Sequence, residues 1–305
     1  MAFIDPFEKI TEDVNALFRP QREWVERRGL LLVTGHFLSG VGAGTWLFAL
    51  LVGSKPALVV GLIIVAAGGL AHLLFLGCWQ RFWRMVWRPQ TSWISRGLLS
   101  MGLFSITGLI YILLAYGYLS TGLDSGFAKT MLVLSLLGMV GIFLYKGFVY
   151  AVSRAIPFWH TPLLPVLYIV YALRGGIAIL LIMAVFSPGL AEVKLMELID
   201  FWIILSTAVM VLFYLAVMRG AGVTAKQSVS ELLAGRASWA FYLGTVLFGI
   251  LVPLALGGAG YFAPLSLSLL AVVGVSSLIG DFYIKYCINK AGIYLPIVGE
   301  FPAVR

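Results

Sequence analysis

Eight apolar runs of about 20 residues constrain this chain more than any other feature of its sequence. A helix needs about 20 apolar residues to cross a hydrocarbon core of about 30 Å, so each run is long enough to span a membrane. Apolar residues make up 61% of the chain and charged residues 11%, which leaves too little polar surface for a water-soluble domain. The sequence therefore predicts an all-α polytopic membrane protein with eight transmembrane helices, expected to pack as two four-helix bundles. The spans are predicted at 30–53, 57–79, 98–119, 127–150, 163–186, 200–218, 239–258 and 263–287.

The basic residues between the runs are distributed unequally between the two sides of the predicted domain, 30–287. Fifteen of the 21 Lys and Arg residues fall on the side of the terminal segments 1–29 and 288–305, whereas Lys55 and Lys194 fall on the other side. This positive-inside pattern predicts a multi-pass protein of the cell inner membrane with both termini in the cytoplasm. Because the basic residues lie between apolar runs, the net charge of +8 does not indicate nucleic-acid binding.

The polar N-terminal segment has two interpretations. Its apolar residues Phe7, Ile10, Val14, Leu17 and Phe18 are spaced as in a short interfacial helix or a docking strip for a partner. A solvated lead-in to the first span explains the segment equally well.

The three histidines are predicted to lie in one layer near the cytoplasmic side. His36 lies six residues into the first span and His72 seven residues before the end of the second, which places both roughly 9–11 Å below the boundary. His160 falls in a connector on that side, and Tyr145 and Lys146 lie near the same end of the fourth span. Ionisable groups inside a bilayer usually face a cavity or each other, so this layer is a candidate polar pocket.

Buried charges in the later spans extend this layer. Asp281 and Lys285 lie near the cytoplasmic end of the eighth span. The Asp281 carboxylate is expected to be functional or paired. Lys146 and Lys285 either join the pocket or extend their side chains to the membrane interface. Arg174 lies about 16 Å deep, where it fits either a proton or water path or a structural cation bonded to helix carbonyls. The predicted proton path comprises Arg174, Asp281, Lys146 and His160.

Glycines in the first span predict helix packing rather than nucleotide binding. The run GVGAG at 40–44 lies inside a span with no preceding strand, so it does not fit a dinucleotide-binding loop. Gly40 and Gly44 form a GxxxG pair, which predicts the close approach of another helix.

Two redox ligands are compatible with the histidine layer. Histidines at matched depth on adjacent spans suggest a bis-imidazole haem b, whereas a quinone needs only a His or Tyr at each carbonyl oxygen in an apolar slot. Cys78 and Cys287 form no metal-binding spacing, so no iron–sulfur or zinc site is expected in this chain. The sequence contains no catalytic triad, zinc-protease motif or phosphate-binding loop, so chemistry on a polar substrate is assigned to another subunit.

Four stretches resemble the membrane subunits of molybdopterin-dependent oxidoreductases, of the polysulfide-reductase and NrfD type, together with the related dimethyl-sulfoxide-reductase anchors. They are GHFLSGVGAGTWLF (35–48), LGCWQRFWRMVWRPQTSWISRG (76–97), YKGFVYAVSRAIPFWHTPLLPVLYIVYALRGG (145–176) and SSLIGDFYIKY (276–286). The order and spacing of these stretches, rather than any single motif, carry the resemblance.

The resemblance implies an eight-helix anchor subunit that holds no haem and binds menaquinone or ubiquinone. It implies an iron–sulfur partner subunit that transfers electrons to or from a molybdenum or tungsten pterin catalytic subunit. The family's quinone contacts fall on His36 and Tyr145. Where the polysulfide-reductase type has an Asn, this chain has Val33, so Thr34 beside it and His72 in the same layer complete the predicted quinone site.

Two departures from the family bear on function. In the last span, Ser277 and Asp281 replace the charged residues of the sulfoxide-reductase anchors, so the second quinone oxygen is expected to be held differently. The charge distribution also places the His36 end in the cytoplasm, which predicts a cytoplasmic catalytic module. A haem b cytochrome subunit and a small-molecule or ion transporter are the alternative functions, and Arg174 would suit the transporter.

Overall fold

The structure is a computed structural model that describes residues 18–186 and 192–296. Within these ranges it confirms an all-α membrane protein with eight helices long and apolar enough to span a bilayer. These helices are α1 (Gly29–Leu51), α2 (Lys55–Phe75), α3 (Trp93–Ala115), α4 (Gly126–Ala151), α5 (Leu163–Phe186), α6 (Val193–Gly220), α8 (Ala240–Gly260) and α9 (Leu267–Ala291). A short surface helix, α7 (Val223–Leu233), and a 3₁₀ helix, Trp79–Trp87, lie in connectors.

Several predicted boundaries differ from the observed ones because local hydrogen bonding, rather than hydropathy, ends the helices. The second span ends at Phe75 instead of 79, and the chain continues into the 3₁₀ helix. The third begins at Trp93 because Ser92 caps it by accepting a hydrogen bond from the Ser95 amide. The sixth begins at Val193 instead of 200, since an ion pair between Lys194 and Glu197 accommodates both charges in its first turns.

The spanning helices form two rings of four, as the sequence predicts. Helices α1 to α4 pack around one another in chain order, and α5, α6, α8 and α9 form the second ring. The rings meet mainly where α1 crosses α5. At that crossing a Cβ atom added to Gly44 would collide with the backbone of Ala172 and lie 3.1 Å from the Cα atom of Gly176. The predicted role of Gly44 in helix packing is confirmed.

Helix α8 is irregular, since Ala240–Leu251 is wound as a π-helix that becomes α-helical at Val252. The π-helix is rare and is found mostly as single-turn bulges, many of them at functional sites. The π-helical part packs against α9, where Gly249 and Gly280 approach so closely that a Cβ atom on Gly249 would lie 2.6 Å from the Cα atom of Gly280.

The two ends of the described chain lie side by side. Gln21 donates a backbone hydrogen bond to Gly292 at 2.8 Å, and Tyr294 donates one to Arg19 at 2.9 Å. Both ends are therefore on the same side of the helix bundle, as eight spans require. The predicted interfacial strip at Phe7, Ile10, Val14 and Leu17 lies outside the described residues.

Candidate functional site

A cavity of about 460 Å³ lies within the first four-helix bundle. Its walls come from α1, α2, α3 and α4, with Phe82 and Met85 of the 3₁₀ helix closing one side. Most of the lining is apolar, and the polar side chains are His36, His72, Tyr145 and Ser105. A largely apolar cavity with a few convergent polar groups is the usual form of a site for a small apolar ligand.

The two histidines meet because glycines allow α1 and α2 to approach closely. A Cβ atom on Gly68 would lie 2.7 Å from the Ser39 amide nitrogen. The rings of His36 and His72 are consequently in contact, with centroids 5.1 Å apart. The Tyr145 ring lies 5.9 Å from that of His36. The structure thus brings together three of the four predicted quinone contacts.

Hydrogen bonding fixes the tautomer of His72. Its Nδ1 atom lies 2.7 Å from the carbonyl oxygen of Gly68, which can only accept, so Nδ1 carries the proton. The other ring nitrogen, Nε2, is therefore an acceptor, and Tyr145 donates to it at the long distance of 3.4 Å. A ligand that accepts a shorter hydrogen bond from Tyr145 would therefore replace only this long bond to His72.

The hydrogen bonds around His36 favour the opposite tautomer because of Tyr150, a residue that no sequence pattern indicated. Asn289 Nδ2 donates to the Lys285 carbonyl at 2.8 Å and to the Tyr150 hydroxyl at 3.1 Å. Since that carbonyl can only accept, the amide orientation is fixed, and the Tyr150 hydroxyl, which accepts from Asn289, is placed to donate its own proton to His36 Nδ1, 2.9 Å away. His36 Nε2 then carries the ring proton and can donate a hydrogen bond to a ligand.

Aromatic residues enclose this Tyr150–His36 pair on the side of the chain ends. The Trp24 ring lies 5.5 Å from Tyr150 and 5.4 Å from Trp159, and Trp24 also lines the cavity. Trp159 is fixed by donating to the Ile288 carbonyl at 2.9 Å. Trp159 stands in one of the stretches that resemble the family, whereas Trp24 carried no sequence signal, because its position depends on the N-terminal segment folding back over the bundle.

Two predicted site residues do not reach the cavity. The Thr34 hydroxyl donates to the Leu30 carbonyl of its own helix at 2.9 Å, and Thr34 is not among the cavity-lining residues. His160 is exposed in its connector, where its Nδ1 atom lies 2.6 Å from the Ala151 carbonyl. Membership of the same layer was therefore not sufficient to bring side chains to one site.

The buried lysines do not snorkel. Lys285 and Asp281, one turn apart on α9, form a fully buried ion pair, so the paired arrangement expected for Asp281 is present. Lys146 is also fully buried, and its Nζ atom has no hydrogen-bond partner among the described residues. Burial of an amine without a partner costs free energy, so packing alone does not explain this lysine.

Arg174 lies among polar groups of the second bundle. Its Nη2 atom donates to the carbonyl of Gly249, in the π-helical part of α8, and to the Ser277 hydroxyl at 3.1 Å. Its remaining nitrogens have no hydrogen-bond partner within the described chain. Asp200, also fully buried in this bundle, was missed because the predicted span began at that residue and placed it at a helix end.

A second, smaller cavity of about 300 Å³ lies beside the start of α6. It is lined by Lys194, Glu197 and apolar groups that include Phe201 and Tyr261. Lys194 donates to Glu197 at 3.1 Å and to the Gly260 carbonyl at 3.0 Å. This ion pair joins an exposed lysine to a buried glutamate, whereas both members of the Lys285–Asp281 pair, at the other end of the bundle, are buried.

The donor set does not favour a metal centre. No group of three His, Cys, Asp or Glu side chains in the described ranges is arranged to bind a metal ion. The His36 and His72 rings contact each other directly, so the space between them does not accommodate a porphyrin. Cys78 is exposed and Cys287 is buried, as unconnected thiols.

The fold and cavity define a class: an eight-span helical membrane protein with an apolar site bordered by two histidines and a tyrosine. The family model described as "Polysulphide reductase, NrfD" matches residues 28–296, so the chain belongs to the NrfD family. It is 25% identical to Protein NrfD of Escherichia coli K12 over 296 residues, covering 84% of this chain and 92% of the relative. It is 22% identical to the C chain of polysulfide reductase from Wolinella succinogenes over 289 residues, covering 82% of this chain and 90% of the relative. These matches confirm the resemblance identified in the sequence.

Proposed function

We propose that this chain is the quinone-reactive membrane subunit of a multi-subunit oxidoreductase. In this role it transfers electrons between a partner iron–sulfur subunit and menaquinone or ubiquinone in the membrane. The observation that carries the proposal is the apolar cavity in which His36, His72 and Tyr145 converge. Membership of the NrfD family supports it, and one relative is by its name part of a polysulfide reductase.

The cavity residues fit the chemical needs of a quinone. A bound quinone would supply two-electron, two-proton chemistry at its carbonyl oxygens. His36 Nε2 is available to donate a hydrogen bond to one such oxygen, because Nδ1 is engaged by Tyr150. The Tyr145 hydroxyl is available to donate to the other, because its bond to His72 is long. The apolar lining excludes water from these groups and accommodates the start of a hydrophobic tail.

The proposed partners come from the family resemblance, and the proposed orientation comes from the charge distribution. The excess of basic residues on the side of the chain ends supports an inner-membrane protein whose termini and histidine end face the cytoplasm. An iron–sulfur subunit would then dock on the cytoplasmic side, connected to a molybdenum or tungsten pterin subunit. Gln21, which is hydrogen-bonded to Gly292, lies three residues before Trp24, and Trp24 borders the cavity. Docking at this side would bring the iron–sulfur subunit close to the proposed quinone.

We further propose that protons reach this site through buried polar groups. Tyr150 and Asn289 connect His36 to the backbone of Lys285, whose side chain is paired with Asp281. Lys146 extends the polar layer between the bundles, and Arg174 with Asp200 extends it into the second bundle. His160 lies at the surface, so its place in this path is that of an entry group.

The test is quinone-coupled turnover by the complex purified from its host in mild detergent. Replacing His36 by Ala is expected to abolish turnover with quinone while the dye-linked activity of the attached catalytic subunit is retained, because only the membrane site is damaged. Loss of both activities would mean that His36 holds the complex together. A chain that purifies alone would favour the transporter, and a haem absorption band would favour the cytochrome b subunit.

A further inference from the structure

The connector between α2 and α3 has an unusual combination of charge and aromatic character. Its 3₁₀ helix reads WQRFWRMVW, and none of its residues is buried. Trp79, Trp83 and Trp87 are 59%, 51% and 72% exposed. No acidic residue occurs anywhere between Glu26 and Asp124. This connector therefore presents positive charge and indole rings without nearby negative charge in the sequence.

The winding of the helix sorts these side chains into rows. In a 3₁₀ helix, side chains three residues apart eclipse each other. Phe82 and Met85 fall in one row, and both line the cavity. Arg81, Arg84 and Trp87 fall in the adjacent row. One face of the helix thus forms the cavity wall, while the neighbouring face carries two arginines one turn apart.

The two arginines are available for an external ligand. Arg81 and Arg84 are exposed and form no ion pair within the described residues. Arg84 has a cation–π contact with the adjacent Trp83, 5.6 Å from the ring centroid. Arg96, by contrast, is already engaged, since it donates to the Pro89 and Gln90 carbonyls and holds the turn before α3.

The surroundings of the connector are those of a membrane surface. Leu70 and Leu74 of α2 and Ile94 of α3 are each about half exposed beside it, as expected of lipid-facing side chains. Leu70 and Ile94 also line the cavity, so the cavity opens on this lipid-facing flank. Tryptophan is enriched at the level of lipid headgroups, and arginine next to it favours anionic lipids.

We propose that the row formed by Arg81 and Arg84 binds the phosphate headgroup of an anionic phospholipid at the mouth of the cavity. The indole rings of the connector anchor it at the headgroup level, and the arginines donate charge-assisted hydrogen bonds to the phosphate. The lipid thereby holds the helix whose neighbouring row, Phe82 and Met85, forms the cavity wall. Positive charge at an opening that faces lipid favours this occupant over a soluble protein.

The experiment is native mass spectrometry of the full chain, purified in neutral detergent and mixed with equal amounts of phosphatidylglycerol and phosphatidylcholine. The wild-type chain is expected to retain phosphatidylglycerol preferentially. The variant R81Q/R84Q is expected to lose about 25-fold of that preference at low salt, roughly fivefold per arginine. A matched variant, R154Q/K226Q, removes the same charge from exposed positions in other connectors and is expected to behave as wild type.

Two further measurements keep the result interpretable. The variant R81K/R84K retains the charge and is expected to keep most of the preference, which separates lipid binding from misfolding. Amide hydrogen exchange over 79–87 is expected to slow on addition of phosphatidylglycerol to the wild type, and not on addition of phosphatidylcholine. This readout requires no quinone and no partner subunit, so it is independent of the proposed electron-transfer function.

Three outcomes would overturn the proposal. Equal retention of both lipids by the wild type would mean that the connector has no site selective for an anionic headgroup. If R81Q/R84Q and R154Q/K226Q lost the preference for phosphatidylglycerol equally, that preference would depend on total charge and not on the two arginines. Normal phosphatidylglycerol retention by R81Q/R84Q, together with loss of a co-purifying soluble subunit, would instead assign the arginines to protein docking.

Discussion

The two four-helix bundles accommodate polar side chains inside the membrane in different ways. The first bundle encloses an open apolar cavity whose polar side chains, His36, His72, Ser105 and Tyr145, include no Lys, Arg, Asp or Glu. The second bundle places charged side chains in a packed interior, with Arg174 against Ser277 and Lys285 against Asp281. Neutral donors can exchange their partners for a ligand at modest cost, whereas buried charges must keep theirs. In the proposed function, the first bundle binds the ligand and the second holds the charges that lead protons toward it.

The largest expected effect comes from breaking the buried ion pair of the second bundle. Asp281→Asn leaves the Lys285 ammonium buried and unpaired, which is expected to cost about 3–5 kcal/mol of stability. The matched control is Glu197→Gln, because the Lys194 ammonium that it leaves unpaired is 69% exposed and stays hydrated, so the expected loss is only about 0–1 kcal/mol. Thermal unfolding in detergent measures both variants. Adding Lys285→Met to Asp281→Asn should restore much of the loss, and no restoration would contradict the pairing.

The contact between the bundles should be nearly as sensitive. Gly44→Ala places a Cβ atom against the Ala172 backbone and is expected to destabilise the protein by about 1–3 kcal/mol, although Ala favours helix more than Gly. Gly258→Ala is the control, since its nearest neighbour would be a Phe201 ring carbon at 3.9 Å. The midpoint of thermal unfolding compares them. Equal midpoints would mean that the bundles are not packed through Gly44.

Within the first bundle, two tyrosines should act differently on the proposed quinone reaction. Tyr145→Phe removes a cavity hydroxyl and is expected to weaken quinone binding by about 1–2 kcal/mol, measured as a raised KM. Tyr150→Phe removes the bond that fixes the His36 tautomer and is expected mainly to lower kcat. Tyr118→Phe, at a 76% exposed position, is the control. An unchanged KM in Tyr145→Phe would argue against contact with the ligand.

Nitrogen-15 NMR of labelled histidine can sharpen the distinction between His36 and His72 without any enzyme assay. The proton is expected on Nε2 of His36 and on Nδ1 of His72, because the first accepts from Tyr150 and the second donates to Gly68. Tyr150→Phe should change only the His36 signal. Identical tautomers in the wild type would contradict the hydrogen-bond assignment of the cavity.

Labelling of a single cysteine perturbs the protein least and tests which side of the membrane the histidine end faces. Cys78 is exposed just beyond α2, at the histidine end, whereas Cys287 is buried. A membrane-impermeant maleimide is expected to label Cys78 in inverted vesicles and not in intact spheroplasts, since the charge distribution puts this side in the cytoplasm. Cys78→Ser should abolish the labelling. Labelling from the outside would reverse the orientation of the chain and of its proposed partners.

Residue positions that depend on hydropathy and depth were largely predictable. His36, His72 and Tyr145 were recognised because polar groups are scarce in apolar spans and their depth follows from the helical rise. Asp281 was expected to be paired, and Gly44 to pack against another helix. Thr34 was assigned by its neighbourhood in sequence, but the direction of a side chain around a helix decides which cavity it reaches.

The sequence by itself determined that the chain spans a membrane eight times, because burial in lipid requires long apolar helices whatever their partners are. It also determined the layer in which titratable groups lie, since depth is proportional to position along a helix. The tertiary structure alone decided that Tyr150 and Asn289 fix His36, that Asp200 is buried, and that Phe82 and Met85 close the cavity. These relations join residues from separate helices and connectors, and rotation and packing of those elements are not encoded in any local pattern.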